Sequence, residues 1–280
     1  MTAQVTVGVD GSPESLAAVA WAAREAVLRD VPLHLLHVQA EARASEPDGD
    51  CAALLAAAVE RARREAGAQQ VDARCVRGRP EEVLGGAADE SELTVLGSRG
   101  LGALGGFLAG SVSLGVVATA RHPVVLVRAP DGGGAGPAPD GGIVAGVDLA
   151  HHSDRLLGFA FTEAARRGGA LHVLHCWSLP PVYVYAGVMD PHIGDELGQR
   201  AAEALEVLLE PWRRTYSGVR VSHEAVTGAA GARLVDAAKG AALLAVGRRT
   251  RKVPLGPHVG PVAHAAVHHS PAPVAVVPLD

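Results

Sequence analysis

Short, almost unbroken apolar runs alternate along this chain with longer stretches in which apolar residues recur every three or four positions. The first run, Val5-Thr-Val-Gly-Val-Asp10, is followed by Leu16, Val19, Ala20, Ala23 and Val27 at helical spacing on one face. Ser12 is placed to cap that helix, with Pro13 at its first position, where the missing N–H costs nothing. A second helix is predicted near Asp50–Gly67, with Leu54, Leu55, Ala58, Val59 and Ala62 inward. A third, shorter helix follows Pro80 and a fourth occupies about Ser113–Arg121. The apolar runs are β-branched and nearly continuous, as in parallel strands covered by helices on both faces. This alternation predicts an α/β fold with right-handed crossovers.

The pattern then repeats. Val5-Thr-Val-Gly-Val-Asp10 matches Ile143-Val-Ala-Gly-Val-Asp148, and Leu33-His-Leu-Leu-His-Val38 matches Leu171-His-Val-Leu-His-Cys176. Leu93-Thr-Val-Leu-Gly97 matches Leu243-Leu-Ala-Val-Gly247, and Pro123-Val-Val-Leu-Val127 matches Pro273-Val-Ala-Val-Val277. Between the copies lies a Gly/Pro stretch with little to bury. Two doubly wound domains follow, 1–130 and 143–280, joined by a linker at 131–142. Strands are predicted at 4–10, 33–39, 71–77, 93–97 and 124–128 in the first copy. In the second they fall at 143–148, 170–176, 219–226, 243–247 and 273–277.

Composition narrows the function classes. The chain has 280 residues, 48% hydrophobic and 20% charged, which is globular rather than disordered. With a net charge of −5 and lysine only at Lys239 and Lys252, it carries no basic footprint for nucleic acid. Cys51, Cys75 and Cys176 form no CxxC pair, so neither a zinc ribbon nor a redox motif is indicated. No charged leader with an apolar core opens the chain, and no uncharged segment is long enough for a bilayer. The expectation is a soluble cytoplasmic protein with no membrane partner.

The most specific chemistry lies in Gly97-Ser-Arg-Gly100 and in Gly110-Ser-Val-Ser113, after a predicted strand and before a predicted helix. Glycines let a backbone approach a bound group closely, and amides at a loop-to-helix junction favour phosphate. Gly97-x-x-Gly100, nine residues, then Gly110-Ser111 reproduces the G-2x-G-9x-G-[S/T] pattern of ATP-binding universal stress proteins. Val-Gly-Val-Asp-Gly-Ser at 7–12 resembles that family's opening, and the Pro-Val-Val-Leu-Val run resembles its last strand. The chain as a whole resembles a tandem universal stress protein of actinobacterial type.

The resemblance implies two Rossmann-like domains of the adenine nucleotide hydrolase-like class, each a five-stranded parallel sheet of order 3-2-1-4-5 with helices on both faces. Ligands of such sheets bind where the winding reverses, at the carboxyl ends of strands 1 and 4. It further implies Asp10 beside the adenosine end of ATP and Val38 offering backbone groups to the adenine edge. Gly97, Arg99 and Gly100 would line the ribose and first phosphates. Gly110, Ser111, Val112 and Ser113 would face the distal phosphates, with Mg2+ bridging their oxygens. Dimerisation through the final strand of each unit is also implied, between the copies of one chain and then between two chains. Protein partners stay unidentified.

No P-loop lysine and no dedicated base accompany this loop, so binding with little or no hydrolysis is expected. The alternative from a different class is a slow ATPase or nucleotidyl transferase. The second copy departs from the pattern: Thr250 replaces the second glycine and Pro261 replaces the Ser/Thr, removing a hydroxyl and an N–H. One competent and one degenerate site per chain are expected.

Other signals carry less. Gly100-Leu-Gly-Ala-Leu-Gly105 spells GxGxxG, yet after the wrong strand for a dinucleotide. His192-Ile-Gly-Asp195 matches an adenylyl-transfer signature outside its context. His264 and His268, four apart, and Arg248, Arg249, Arg251 and Lys252 are read as solvated surface. One of each pair His34/His37 and His172/His175 is expected to be a satisfied buried histidine.

Overall fold

The computed structural model describes residues 2–40, 48–67, 70–98, 110–129, 141–178, 193–249 and 259–279. In the N-terminal half the strands are β1 (Thr2–Gly8), β2 (Leu33–Gln39), β3 (Val71–Arg77), β4 (Ser91–Ser98) and β5 (Val124–Arg128). The helices between them are α1 (Pro13–Arg29), α2 (Asp48–Ala66), α3 (Pro80–Glu90) and α4 (Ser111–Thr119). In the C-terminal half the strands are β6 (Ile143–Val147), β7 (Ala170–Trp177), β8 (Arg220–Thr227), β9 (Leu243–Arg248) and β10 (Val274–Pro278). Its helices are α5 (Asp154–Arg166), α6 (Ile193–Thr215), α7 (Ala230–Ala237) and α8 (Pro261–His269). The α/β alternation read from the sequence is the one observed.

Two compact units result. In the first, the sheet runs β3-β2-β1-β4-β5, with every pair parallel. That is the 3-2-1-4-5 order, so β1 and β4 are neighbours where the winding reverses. The inner strands β1 and β4 are buried on both faces: Val5, Val7, Leu93 and Val95 on one, Thr6, Thr94 and Leu96 on the other. Burial of these valines and leucines stabilises by roughly 1.5–3 kcal/mol each. The strand β10 is grouped with this unit and pairs antiparallel with β5, Val274 opposite Leu126 and Val276 opposite Val124. An all-parallel arrangement does not extend that far. Both strands are apolar along their whole length, and pairing satisfies the N–H and C=O groups that an edge would leave open. In the second unit the order is β9-β6-β7-β8, all parallel.

Local signals set the helix ends. Ser12 adopts extended backbone (φ −67°, ψ 155°) and its side chain accepts the Ser15 N–H at 3.2 Å, with Pro13 in the first turn. Asp30 ends the helix in the left-handed region at φ 54°. On α1, Val19, Ala20 and Ala23 of the expected stripe are buried, and the buried face extends to Ala18, Ala22 and Ala26. Val27 falls at its margin and is 47% exposed. On α2, Leu55, Ala58 and Ala62 are buried as the spacing predicts.

The sequence offers no pairing for its cysteines, but the fold brings Cys51 of α2 and Cys75 of β3 together as a disulfide, with Cα atoms 6.5 Å apart. Cys176, on β7, is a free thiol. Burial pushes its pKa up, Arg233 opposes and Glu224 reinforces the shift. Because the thiolate is the nucleophile, Cys176 should react slowly. Alkylation followed by mass spectrometry is expected to label one slow thiol in unreduced protein and all three cysteines after reduction and unfolding. Rapid labelling of Cys51 and Cys75 without reductant would contradict the pairing.

Candidate functional site

At the carboxyl ends of β1, β2 and β4 the first unit opens a crevice of about 480 Å³. It is lined by Asp10, Val38, Gly97, Gly110, Ser111, Val112 and Ser113, which come from four separate places in the chain. Arg99 and Gly100 lie outside the described residues.

The crevice has two chemically distinct ends. One is the start of α4. Its first helical hydrogen bond runs from Leu114 N–H to Gly110 C=O at 3.1 Å, so the amides of Ser111, Val112 and Ser113 precede the helical ladder. Those amides and the positive end of the helix favour an anion. Towards the end of β2 the lining is apolar, with Leu36 and Val38, and Pro80 and Leu84 of α3 add to the apolar wall. A nucleotide has that same polarity, with an apolar base at one end and phosphate oxygens at the other.

Individual residues depart from the roles their motif suggests. Gly97 is required by packing: a Cβ there would meet the Glu14 carbonyl carbon and the Ser15 nitrogen at 2.8 Å. The first glycine of the motif therefore admits the start of α1 against the end of β4. Gly110 has φ −59° and ψ 145°, which any L residue can adopt. No positive φ explains this third glycine of the motif. Ser113 is buried and its hydroxyl donates to the Gly97 carbonyl at 3.0 Å, pinning α4 to β4. Its amide, rather than its hydroxyl proton, is what it can offer an anion, whereas Ser111 is exposed. Asp10 accepts from the Ser12 amide at 2.9 Å and from the Ser12 hydroxyl, which orients the carboxylate at the crevice mouth.

Leu36, His37, Pro80 and Leu84 are among the lining residues that lay outside the motif. His37 is half-buried and its Nδ1–H donates to the Val9 carbonyl at 2.7 Å. His175 makes the same bond to Val147 at 3.1 Å. The repeated Leu-His-x-Leu-His signature was the available signal. His34 and His172 instead meet Asp72 at 3.3 Å and Ser222 at 2.9 Å. Burial lowers the pKa of His172, with Glu224 opposing and His223 assisting.

The second unit fills the equivalent position with its own side chains. Asp148 accepts from the Ala150 amide at 3.0 Å and from His151 Nδ1 at 2.7 Å. Arg249 donates to Nε2 of the same ring. Burial alone would raise Asp148, but the Ala150 amide and His151 outweigh it and hold the carboxyl below its usual range. Gly260 caps α8 and Pro261 occupies the first turn, where it brings no amide. Two expectations of solvated surface fail here. Arg248 is only 4% exposed because β9 extends through it, and His268 is 4% exposed with its ring 4.2 Å from that of His264. Among the described residues no group of His, Cys, Asp and Glu is arranged for a metal. No described helix is long and apolar enough to cross a membrane.

Comparison with known proteins gives consistent matches. A model of the Universal stress protein family matches residues 1–128 and 142–278. A universal stress protein of Mycobacterium tuberculosis is 32% identical over 289 residues, 97% of this chain and 96% of the relative. One from Mycolicibacterium smegmatis is 33% identical over 294 residues, 98% of this chain and 96% of the relative. Among solved structures, a universal stress protein from Archaeoglobus fulgidus superposes with a TM-score of 0.69 at 20% identity, covering 99% of this chain and 98% of that one. That likeness concerns the fold. A universal stress protein solved in complex with cAMP is 33% identical, covers 46% of this chain and 98% of that one, and gives a TM-score of 0.39.

Proposed function

Because the chain belongs to the universal stress protein family, we propose that its first unit is a receptor for an adenine nucleotide, with ATP as the ligand. The nucleotide acts through conformation or partner choice rather than through turnover. One observation carries this reading: the amide-bearing start of α4 and apolar side chains line a single crevice at the reversal of the sheet. Phosphates sit on the amides of residues 111–113, and the base lies against Leu36, Val38 and Leu84. Magnesium accompanies the phosphates as it does in solution. Phosphoryl transfer needs placed cations and a group that positions the nucleophile. Among the described lining residues there is no Lys or Arg, and the one imidazole is tied to Val9. Turnover is accordingly slow or absent.

The second unit holds no nucleotide in this reading, since Asp148, His151 and Arg249 occupy one another and Pro261 withholds an amide. The test is mass spectrometry of the protein as purified, followed by calorimetric titration with ATP and a phosphate-release assay. An adenine nucleotide carried through purification or bound at one per chain is expected, with phosphate release at background. Absence of binding, or two nucleotides per chain, would overturn the assignment, and phosphate release lost in Gly110→Val would favour an ATPase.

A further inference from the structure

The first unit carries a cross-link that its fold does not require. The Cys51–Cys75 disulfide joins the first turn of α2 to β3, the outermost strand of the unit. The helix is already seated by Leu55, Ala58 and Ala62, all buried. In the second unit the matching helix α6 seats Leu205 and Leu209 and reaches β8 through Arg213 and His223, 2.9 Å apart, with no bridge. There Ala225 pairs with His175 as Cys75 pairs with His37, and α6 contains no cysteine. The cross-link is confined to the copy whose crevice is not filled by its own side chains.

Both ends of the bridge lie close to that crevice. Cys75 stands in register with His37, a lining residue. Cys51 lies about one helical turn before Leu54, whose Cδ1 would be 3.2 Å from a Cβ placed on Gly11. Gly11 holds φ 81° between Asp10 and Ser12, and both of these line the crevice. The bond is also reachable from solvent, since Cys75 is exposed although Cys51 is buried.

We infer that Cys51–Cys75 is a redox-responsive clasp on the crevice: oxidised, it holds the start of α2 against the Asp10–Ser12 turn, and reduction by a dithiol lets that turn loosen. The clasp rests on the adenine-nucleotide reading for its ligand. One thiolate of the dithiol attacks the Cys75 sulfur, the S–S bond breaks, and Cys51 leaves as a thiolate that takes up a proton. The second thiol of the reagent then attacks the mixed disulfide, closing the reagent's own disulfide and releasing Cys75 as a thiol. Two electrons and two protons pass from the dithiol to the protein. A turn that is ordered beforehand need not be ordered on binding, so the oxidised crevice binds more tightly. Linkage makes the effect reciprocal: the factor that oxidation adds to nucleotide affinity is the factor by which bound nucleotide resists reduction of the bridge.

The test uses the full chain, oxidised and after dithiothreitol, beside Cys75→Ser, which removes the bridge at its exposed end. Calorimetry is expected to show ATP affinity falling about fivefold or more when wild type is reduced. Cys75→Ser should sit at the reduced value with and without dithiothreitol. The Ser12 amide, which donates to Asp10 at 2.9 Å, should exchange faster on reduction in the absence of nucleotide. Saturating ATP should raise the ratio of reduced to oxidised dithiothreitol at half-reduction by the same factor as the affinity change. A merely structural bridge would lower the melting temperature on reduction and leave ATP affinity and Ser12 exchange unchanged, which overturns the clasp. A reductant effect that persists in Cys75→Ser overturns it as well. If neither redox state binds ATP while Ser12 exchange still responds, the nucleotide assignment fails and the clasp on the crevice stands.

Discussion

Gly110→Val is expected to remove ATP binding while leaving the fold in place. The backbone at Gly110 (φ −59°, ψ 145°) is open to valine, so no strain arises from the substitution itself. Gly110 caps α4 without any side-chain hydrogen bond, and exchanging one non-bonding cap for a poorer one costs about 1 kcal/mol. The branched side chain, however, stands at the entrance to the amides of Ser111, Val112 and Ser113, where phosphate oxygens must approach to hydrogen-bonding distance. Even a displacement of 1 Å forfeits those bonds together. Calorimetry should therefore show at least about a hundredfold loss, the scale of two or more charge-assisted bonds. A melting curve should stay within a few degrees of wild type. Wild-type affinity in the variant would mean that the nucleotide does not use this helix.

Phe161→Ala is expected to be the most destabilising single truncation in the second unit. Phe161, on α5, has no exposed surface, and its ring lies 5.7 Å from Trp212 and 5.4 Å from Tyr216 of α6. Removing it deletes the centre of this aromatic cluster and leaves a cavity that the flanking rings cannot close. The loss is about 3–5 kcal/mol, against a total that is typically about 5–15 kcal/mol for a domain. Urea unfolding followed by tryptophan fluorescence measures it directly, since Trp212 reports on the same cluster. Phe161→Leu keeps most of the volume and should cost much less. A loss below about 1 kcal/mol for the alanine variant would show that the α5–α6 contact contributes little to stability.

Much of the candidate site was legible in the chain because it depends on main-chain geometry and spacing. Ser12 and Pro13 act as a cap and first turn through interactions confined to four residues. The glycine spacing marked the start of α4, although the helix begins at Ser111 rather than Ser113. The reason for Gly97 was not legible: its missing Cβ makes room for Glu14 and Ser15, more than eighty residues earlier. Likewise, a histidine in a strand does not announce that it will bond the carbonyl at the end of the neighbouring strand. That outcome depends on where β1 stops beside it.

The amino-acid pattern alone determined the duplicated α/β plan, the parallel strands and the contrast between a loop rich in amides and its proline-bearing counterpart. Each of these follows from hydrophobic period or from which residues possess an N–H. Tertiary structure decided the antiparallel seat of β10 on β5, the joining of Cys51 to Cys75, the burial of Arg248 and the hold of His37 on Val9. All four depend on segments distant in sequence arriving within a few ångströms of one another, and local period carries no record of such meetings.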